Sequence, residues 1–341
     1  MKEFHRAIFF TKAPLGGYYR YKDEFQIFPC NMENMPVSKL QKHHPNILEF
    51  WTTEDEIIKT DFEIEELQEQ FDKTAAVILK QDKILALLTA FTNNLFFRYT
   101  DISGMWGIPV LKDEPGEEAN SWSSKWCINM YHFPDLPRQF KITDFTEPKV
   151  SQIERIPHKE FYTKEPNLDA ETTKNIVLPL TIDHLFESYY SLEPETSFYI
   201  DAACSYTVSA IDLHYTKKTL SLLSSFTAME TMVNLENKDF KPEKCDTCGQ
   251  LRYSVSRKFR EYLLKYIGDS PANKKKFNNY YSVRSKIVHT GRQLKTELLF
   301  SDVPKDEKQS ELMTRIEILQ IGKLAITNWL LMRMTKEGSD K

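Results

Sequence analysis

The chain has 341 residues, 41% hydrophobic and 13% aromatic, enough for two ordinary domains with real cores. Its formal net charge of −4 hides an asymmetry: residues 238–295 hold 15 Lys or Arg against 5 Asp or Glu, so that segment is +10 and the remainder −14. No apolar run has membrane-spanning length, because the longest, around 84–91 and 318–334, are too short or cut by Gln320, Lys323, Asn328 and Arg333.

Residues 1–60 hold short apolar clusters punctuated by Pro and Gly, a strand-and-turn pattern. Residues 61–92 read as one long helix with an acidic first half. Residues 95–110, 122–133 and 140–145 return to a strand pattern, so the N-terminal domain is expected to be α+β. The polar stretch around 157–174 carries two prolines and no apolar period, as a linker does. The domains are therefore 1–160 and 176–341, joined by 161–175. Everything after the linker is helical in pattern, over 176–192, 195–213, 217–237, 255–268, 271–290 and 310–336, which predicts an all-α C-terminal helical bundle. Five cysteines at uneven spacing form no disulfide framework. With no signal-peptide pattern at the N-terminus, a reducing, cytoplasmic setting is expected.

The most informative stretch is 270–292, SPANKKKFNNYYSVRSKIVHTGR. Ser270 suits a helix N-cap, Pro271 the first helical position, and Gly291 the left-handed residue that closes a helix. Phe277, Tyr280, Tyr281, Arg284, Ile287 and Val288 recur at three- and four-residue spacing, so a cation sits in the middle of an apolar stripe. His289 lies about 140° around the helix from Arg284, on the polar side with Ser285 and Lys286. A second stripe, Leu222, Leu223, Phe226, Met229, Glu230 and Val233, contains a carboxylate where an apolar residue is expected. Two core-facing opposite charges in one bundle predict that Glu230 and Arg284 pair, either as a structural ion pair or as part of a functional arrangement.

The run from Arg284 to His289, on a late helix of an all-helical domain, resembles the Arg-X4–6-His motif of the HEPN superfamily. The phrase YYSVRSKIVHTG, with SSFTAMETM before it and CDTCGQ between them, is similar to the ApeA-like HEPN group in particular. The likeness covers roughly residues 176–336. It implies a HEPN-like bundle acting as a metal-independent endoribonuclease, or a non-catalytic RNA- or nucleotide-binding or dimerisation module. It further implies a homodimer whose two motifs meet in one cleft, deployed in anti-phage defence or as a toxin-like module. Many family members place Asn, Asp or His directly after the arginine, where this chain has Ser285.

The residue types suit that chemistry. RNA carries its own nucleophile, the 2′-OH. His289 has an ordinary pKa near neutrality and can take or give the proton. Arg284 offers a planar fork of donors for a phosphate gaining charge. Ser285 and Tyr281, one and two turns before His289, can orient the imidazole or hold a phosphate oxygen. Alternatively, Ser285 is plain polar surface and Tyr281 core packing. Lys274, Lys275, Lys276, Lys286 and Arg292 can grip the RNA backbone. On the preceding helix Phe259, Tyr262 and Tyr266 among Arg257, Lys258, Arg260 and Lys265 are either a base-stacking platform or core.

Cys245 and Cys248 stand at chelating spacing, with Gly249 allowing the turn, and make half a zinc site. Closing it needs Cys204, a histidine such as His214, or a second chain. The alternative is a reduced loop pair. No cofactor is required for the expected cleavage.

Overall fold

The structure, a computed structural model, describes residues 2–30, 43–56, 59, 65–98, 143–164, 174–240, 243–244, 251–252, 254–297 and 302–339. An antiparallel sheet comes first and a helical region follows, the α+β then all-α layout expected from the sequence. The chain divides into two compact units: residues 1–85, 94–156 and 169–178, then 86–93, 157–168 and 179–341.

In the first unit β1 (Lys2–Thr11), β2 (Tyr19–Tyr21), β3 (Phe25–Pro29), β4 (His44–Thr53) and β5 (Phe96–Phe97) form a sheet of order β2-β3-β4-β1-β5. β1 and β4 pair along their whole length, from Lys2 opposite Thr53 to Thr11 opposite His44. Phe9, Phe25, Ile27, Leu48 and Phe50 are buried in this unit. Helix α1 (Glu65–Phe91) reaches β1 through Gln81, whose Nε2 donates to the Ile8 carbonyl at 3.1 Å. Glu49 is buried and saturated: Arg6 Nε donates to it at 2.8 Å, Gln26 Nε2 at 2.5 Å, and Thr146 through its backbone N–H at 2.9 Å and its hydroxyl at 3.0 Å. Such a carboxylate is kept inside only because every lone pair is used. Of the strand pattern read over 95–145, β5 is described, and residues 99–142 lie outside the described residues.

The second unit holds the last turns of α1 together with α2 (His158–Thr163), α3 (Ile182–Tyr190), α4 (Pro194–Asp212), α5 (Lys218–Glu236), α6 (Val255–Ile267), α7 (Pro271–Thr290) and α8 (Lys305–Ser339). α8 touches α3, α4, α5 and α6 and is the post around which the others assemble. Its residues Ile318, Ala325, Ile326 and Leu330 are buried, as are Phe226 and Met229 on α5, Phe259 and Leu263 on α6, and Phe277 on α7.

The departures from expectation have local causes. Helix α3 starts at Ile182 rather than 176, because Pro179 removes a donor and holds the residue before it extended; Leu178–Pro179 is instead the short strand β7, which neighbours β6 (Arg155–Ile156). Part of the expected linker is structured. His158–Thr163 is helix α2, and its Phe161 and Tyr162 are buried, with the Tyr162 hydroxyl donating to the Phe91 carbonyl at 2.6 Å. Two aromatics in a polar run carry no periodic signal, yet together they bury as much surface as a full turn of aliphatic core. Residues 165–173 lie outside the described residues.

Candidate functional site

Helix α7 carries the caps its sequence advertises. The Ser270 hydroxyl accepts from the Asn273 N–H at 3.1 Å, Pro271 opens the helix, and Gly291 closes it at φ 65°, its N–H donating to the Ile287 carbonyl. The loop that follows is pinned to the start of α5. Glu297 accepts from the Thr219 N–H at 2.7 Å and its hydroxyl at 2.5 Å, and the Leu294 N–H donates to Thr219 Oγ1 at 3.0 Å. A carboxylate there satisfies an orphan donor and complements the helix dipole.

Phe277, Tyr280 and Ile287 are the buried face of α7. Arg284 falls inside the arc that these three residues span, yet it is only partly covered, and Val288 beside it is 47% exposed rather than packed inside. The partial cover matters for chemistry, because it leaves the Arg284 side chain 21% exposed. Glu230 from α5 meets it side on: Arg284 Nε lies 2.8 Å from Glu230 Oε1, and Nη2 donates to Oε2 at 2.9 Å. Only the second contact is a hydrogen bond, because Glu230 Oε1 accepts none among the described residues, and the pair leaves the Nη1 protons for another acceptor. The Tyr281 ring lies under the same group, its centroid 5.9 Å from the Arg284 Cζ, and leans on Phe259 at 5.6 Å. Tyr281 is thus half-buried and serves as a ledge for the arginine.

His289 is exposed on the last turn. It is about 7.5 Å farther along the helix axis than Arg284 and about 140° around it. Tyr281 and Ser285 fall within that arc. Neither the Ser285 hydroxyl nor the His289 imidazole is hydrogen-bonded to another side chain among the described residues.

The expected substrate-binding residues divide into three places. Lys286 and Arg292 are exposed and line a cleft of about 330 Å³ with Val283, Ile287, Gln293 and Leu294, on the flank of α7 away from Arg284. Lys274 pairs with Asp269 at 2.9 Å and Lys276 with Glu317 at 2.5 Å, so two of the three consecutive lysines have carboxylate partners of their own. Lys275 is exposed. On α6, Phe259, Tyr262 and Tyr266 are buried, which makes them core and not a stacking platform. Its cations are also engaged: Lys258 sits 3.3 Å from the centroid of the Phe240 ring, Arg260 donates to Asn278 at 3.1 Å, and Lys265 pairs with Glu236.

Cys245 and Cys248 lie outside the described residues, between the short paired strands β8 (Glu243–Lys244) and β9 (Leu251–Arg252). Cys204 is fully buried on α4, where burial and then Asp201 push its thiol well up. His214 is buried too, and its carbonyl accepts from Arg315 Nη1 at 2.7 Å. Among the described residues no group of three or more His, Cys, Asp or Glu is arranged to hold a metal. None of their helices is long and apolar enough to cross a membrane.

One polar feature escaped sequence reading. A cleft of about 570 Å³ opens between α2, the start of α7 and the first half of α8, with Gln320 on its wall. Its lining comes from three stretches far apart in the chain, so no spacing signals it. Comparison of the chain with family models, with curated proteins and with solved structures returns no match.

Proposed function

We propose that the helical unit is a HEPN-like, metal-independent endoribonuclease that works as a homodimer. One observation carries this reading: a guanidinium paired with Glu230, partly open to solvent, on the same helix as an exposed imidazole. A purely structural arginine has no need of an outward edge, whereas a phosphate clamp does.

In this reading the free Nη1 edge of Arg284 binds a non-bridging oxygen of the scissile phosphate, and Glu230 is a positioning residue. The 2′-OH of the preceding ribose attacks phosphorus. One imidazole removes its proton, and an imidazolium returns a proton to the departing 5′-oxygen. The products are a 2′,3′-cyclic phosphate and a 5′-hydroxyl, with no metal involved in either transfer. Arg284 meets the charge that builds on the phosphoryl oxygens. Ser285, in the arc between the two, is placed to hold a second oxygen.

The same geometry argues for two chains. Arg284 and His289 are separated by about 140° around a helix roughly 10 Å across. The imidazole of one chain and the guanidinium of the same chain therefore face different directions. A twofold-related copy of α7 brings the His289 of one protomer toward the Arg284 of the other and makes a groove from two shallow faces.

Labelled single-stranded RNA incubated with the protein in excess chelator tests the proposal. Wild type is expected to cut, leaving cyclic phosphate ends, and His289→Ala and Arg284→Ala are expected to lose about 100-fold or more. A substrate with 2′-deoxyribose at the cut site is expected to survive. Retained RNA binding with no cleavage by wild type would move the assignment to a binding module. Undiminished cleavage by His289→Ala would end it.

A further inference from the structure

Lys286 sits three residues before His289, so the two are surface neighbours on α7, about 60° apart around the axis and on the side away from Arg284. The cleft of about 330 Å³ that Lys286 and Arg292 line therefore opens beside the imidazole. Val283, Ile287 and Leu294 give it an aliphatic lining, and Glu307, Ser310 and Glu311 of α8 line it as well. Its volume lies at the small end of the range for ligand sites, which suits one compact group.

The charges on that lining cancel, with two exceptions. Lys295 pairs with Glu307 at 2.7 Å. Glu311 accepts from the Thr296 hydroxyl and has a cation behind it: burial lowers the pKa of Arg315, and Glu311 and then Glu297 oppose that shift. Lys286 and Arg292 are exposed, and neither forms an ion pair with a carboxylate among the described residues. Two positive charges are thus left over on one small cleft, where a single anionic group can meet both. A phosphate suits the pair, since lysine supplies a point charge and arginine a planar fork of donors. The aliphatic lining suits the sugar that a nucleotide phosphate carries with it.

We propose that this cleft is the subsite for the nucleotide adjoining the cut, with its phosphate held between Lys286 and Arg292. The inference rests on the nuclease reading for the identity of the strand and adds a requirement to it: the substrate carries a second phosphate beyond the scissile one. A strand leaving His289 has Lys286 as its next neighbour on the helix surface, so that phosphate reaches the cleft of the same chain. The substrate class is then RNA long enough to fill the cleft, and a dinucleotide without an end phosphate is a poor ligand. Arg284, on the opposite side of α7, takes no part in this contact.

The 2′-O-methyl dinucleotide of adenosine, which cannot be cut, tests the subsite in three forms: with no end phosphate, with a 5′-phosphate and with a 3′-phosphate. Isothermal titration of the full-length protein at low salt gives the affinities. A phosphate at one end is expected to tighten binding about tenfold, and the end that does so gives the direction of the strand. Lys286→Gln combined with Arg292→Gln is expected to erase the gain, so that the three forms bind the double variant alike. Both residues are exposed, and the comparison is made within one folded protein. A gain at neither end, or a gain that persists in the double variant, would overturn the assignment. So would adenosine monophosphate bound as tightly as the phosphorylated dinucleotide, because the cleft would then serve a free nucleotide and not a strand. None of these ligands is cleavable, so the result is separate from that of the cleavage assay. A protein that cuts RNA yet shows no gain loses this subsite alone, and one that shows the gain yet cuts nothing loses the nuclease alone.

Discussion

Arg284 and Glu230, 54 residues apart in the chain, form an ion pair across the helices α5 and α7, with one hydrogen bond of 2.9 Å from Nη2 to Oε2 and Nε 2.8 Å from Oε1. Both side chains are about one-fifth exposed, so the pair is intermediate between a surface bridge and a buried one. Exposed pairs contribute at most about 1 kcal/mol, and breaking a buried one costs about 3–5. Glu230→Gln is accordingly expected to lower stability by about 2 kcal/mol in urea unfolding, by stranding the guanidinium. The double change Glu230→Leu with Arg284→Met is expected to restore most of the loss. Under the nuclease reading Glu230→Gln also reduces cleavage more than it reduces RNA affinity, because the clamp remains but is no longer aimed.

Gly291 ends α7 at φ 65°, and a β-carbon placed there would meet nothing within 4 Å. Space is therefore no obstacle, and only backbone strain opposes substitution. Gly291→Ala is expected to cost about 1–2 kcal/mol, and Gly291→Asn less, because asparagine tolerates the left-handed region better. Chemical denaturation of the three proteins measures the order directly. If alanine proves neutral, the cap does not govern where the helix carrying His289 stops.

These two features were legible in the sequence for the same reason: each is a local rule broken or obeyed at a definite spacing. Ser270, Pro271 and Gly291 obey helix-end chemistry, and Glu230 and Arg284 each interrupt an apolar stripe. What the stripes did not reveal was how fully each turn is covered. Arg284 reads as central and does fall inside the arc of Phe277, Tyr280 and Ile287, but the last turns of the helix are less covered, so Val288 beside it is exposed. Other features were illegible because their cause lies elsewhere in the chain. Phe161 and Tyr162 are drawn inside by α1 and α8, as the Tyr162 hydroxyl on the Phe91 carbonyl and the Gln320 amide on the Tyr162 carbonyl show. The three consecutive lysines look like one patch, yet Asp269 and Glu317 each claim a member.

That division of the lysines makes a prediction about salt. If RNA is held by unpaired cations, Lys286→Ala and Arg292→Ala each remove one phosphate contact. Each is expected to reduce the slope of log affinity against log salt by about 0.7 for a single strand. Lys276→Ala is expected to leave the slope nearly unchanged, because Glu317 already neutralises that ammonium. Fluorescence anisotropy across a salt series, with a labelled RNA, gives all three slopes. Equal reductions at the three positions would mean that the intramolecular pairs open on binding and that the basic residues act as one surface.

Lys323 on α8 poses the sharpest electrostatic question in the helical unit. It is fully buried, and its ammonium donates to the Thr92 carbonyl just beyond the end of α1. Burial lowers its pKa from 10.5 to about 7. Below that value both the folded and the unfolded chain carry the proton, and the folded state bears the full cost of a buried charge. Between about pH 7 and 10.5 the folded chain releases the proton while the unfolded chain keeps it, so stability rises with pH across this window. Each unit of depression is worth about 1.4 kcal/mol, so the gain is on the order of several kcal/mol. Lys323→Met removes the titration and the hydrogen bond together, but the lost bond is a constant offset. The variant is therefore expected to gain on wild type as pH falls toward neutrality and to lose ground as pH rises, which urea unfolding of both proteins between about pH 6 and 10 will show. Parallel stability curves for the two proteins would mean that Lys323 keeps its charge inside the fold, with the carbonyls at the end of α1 holding it.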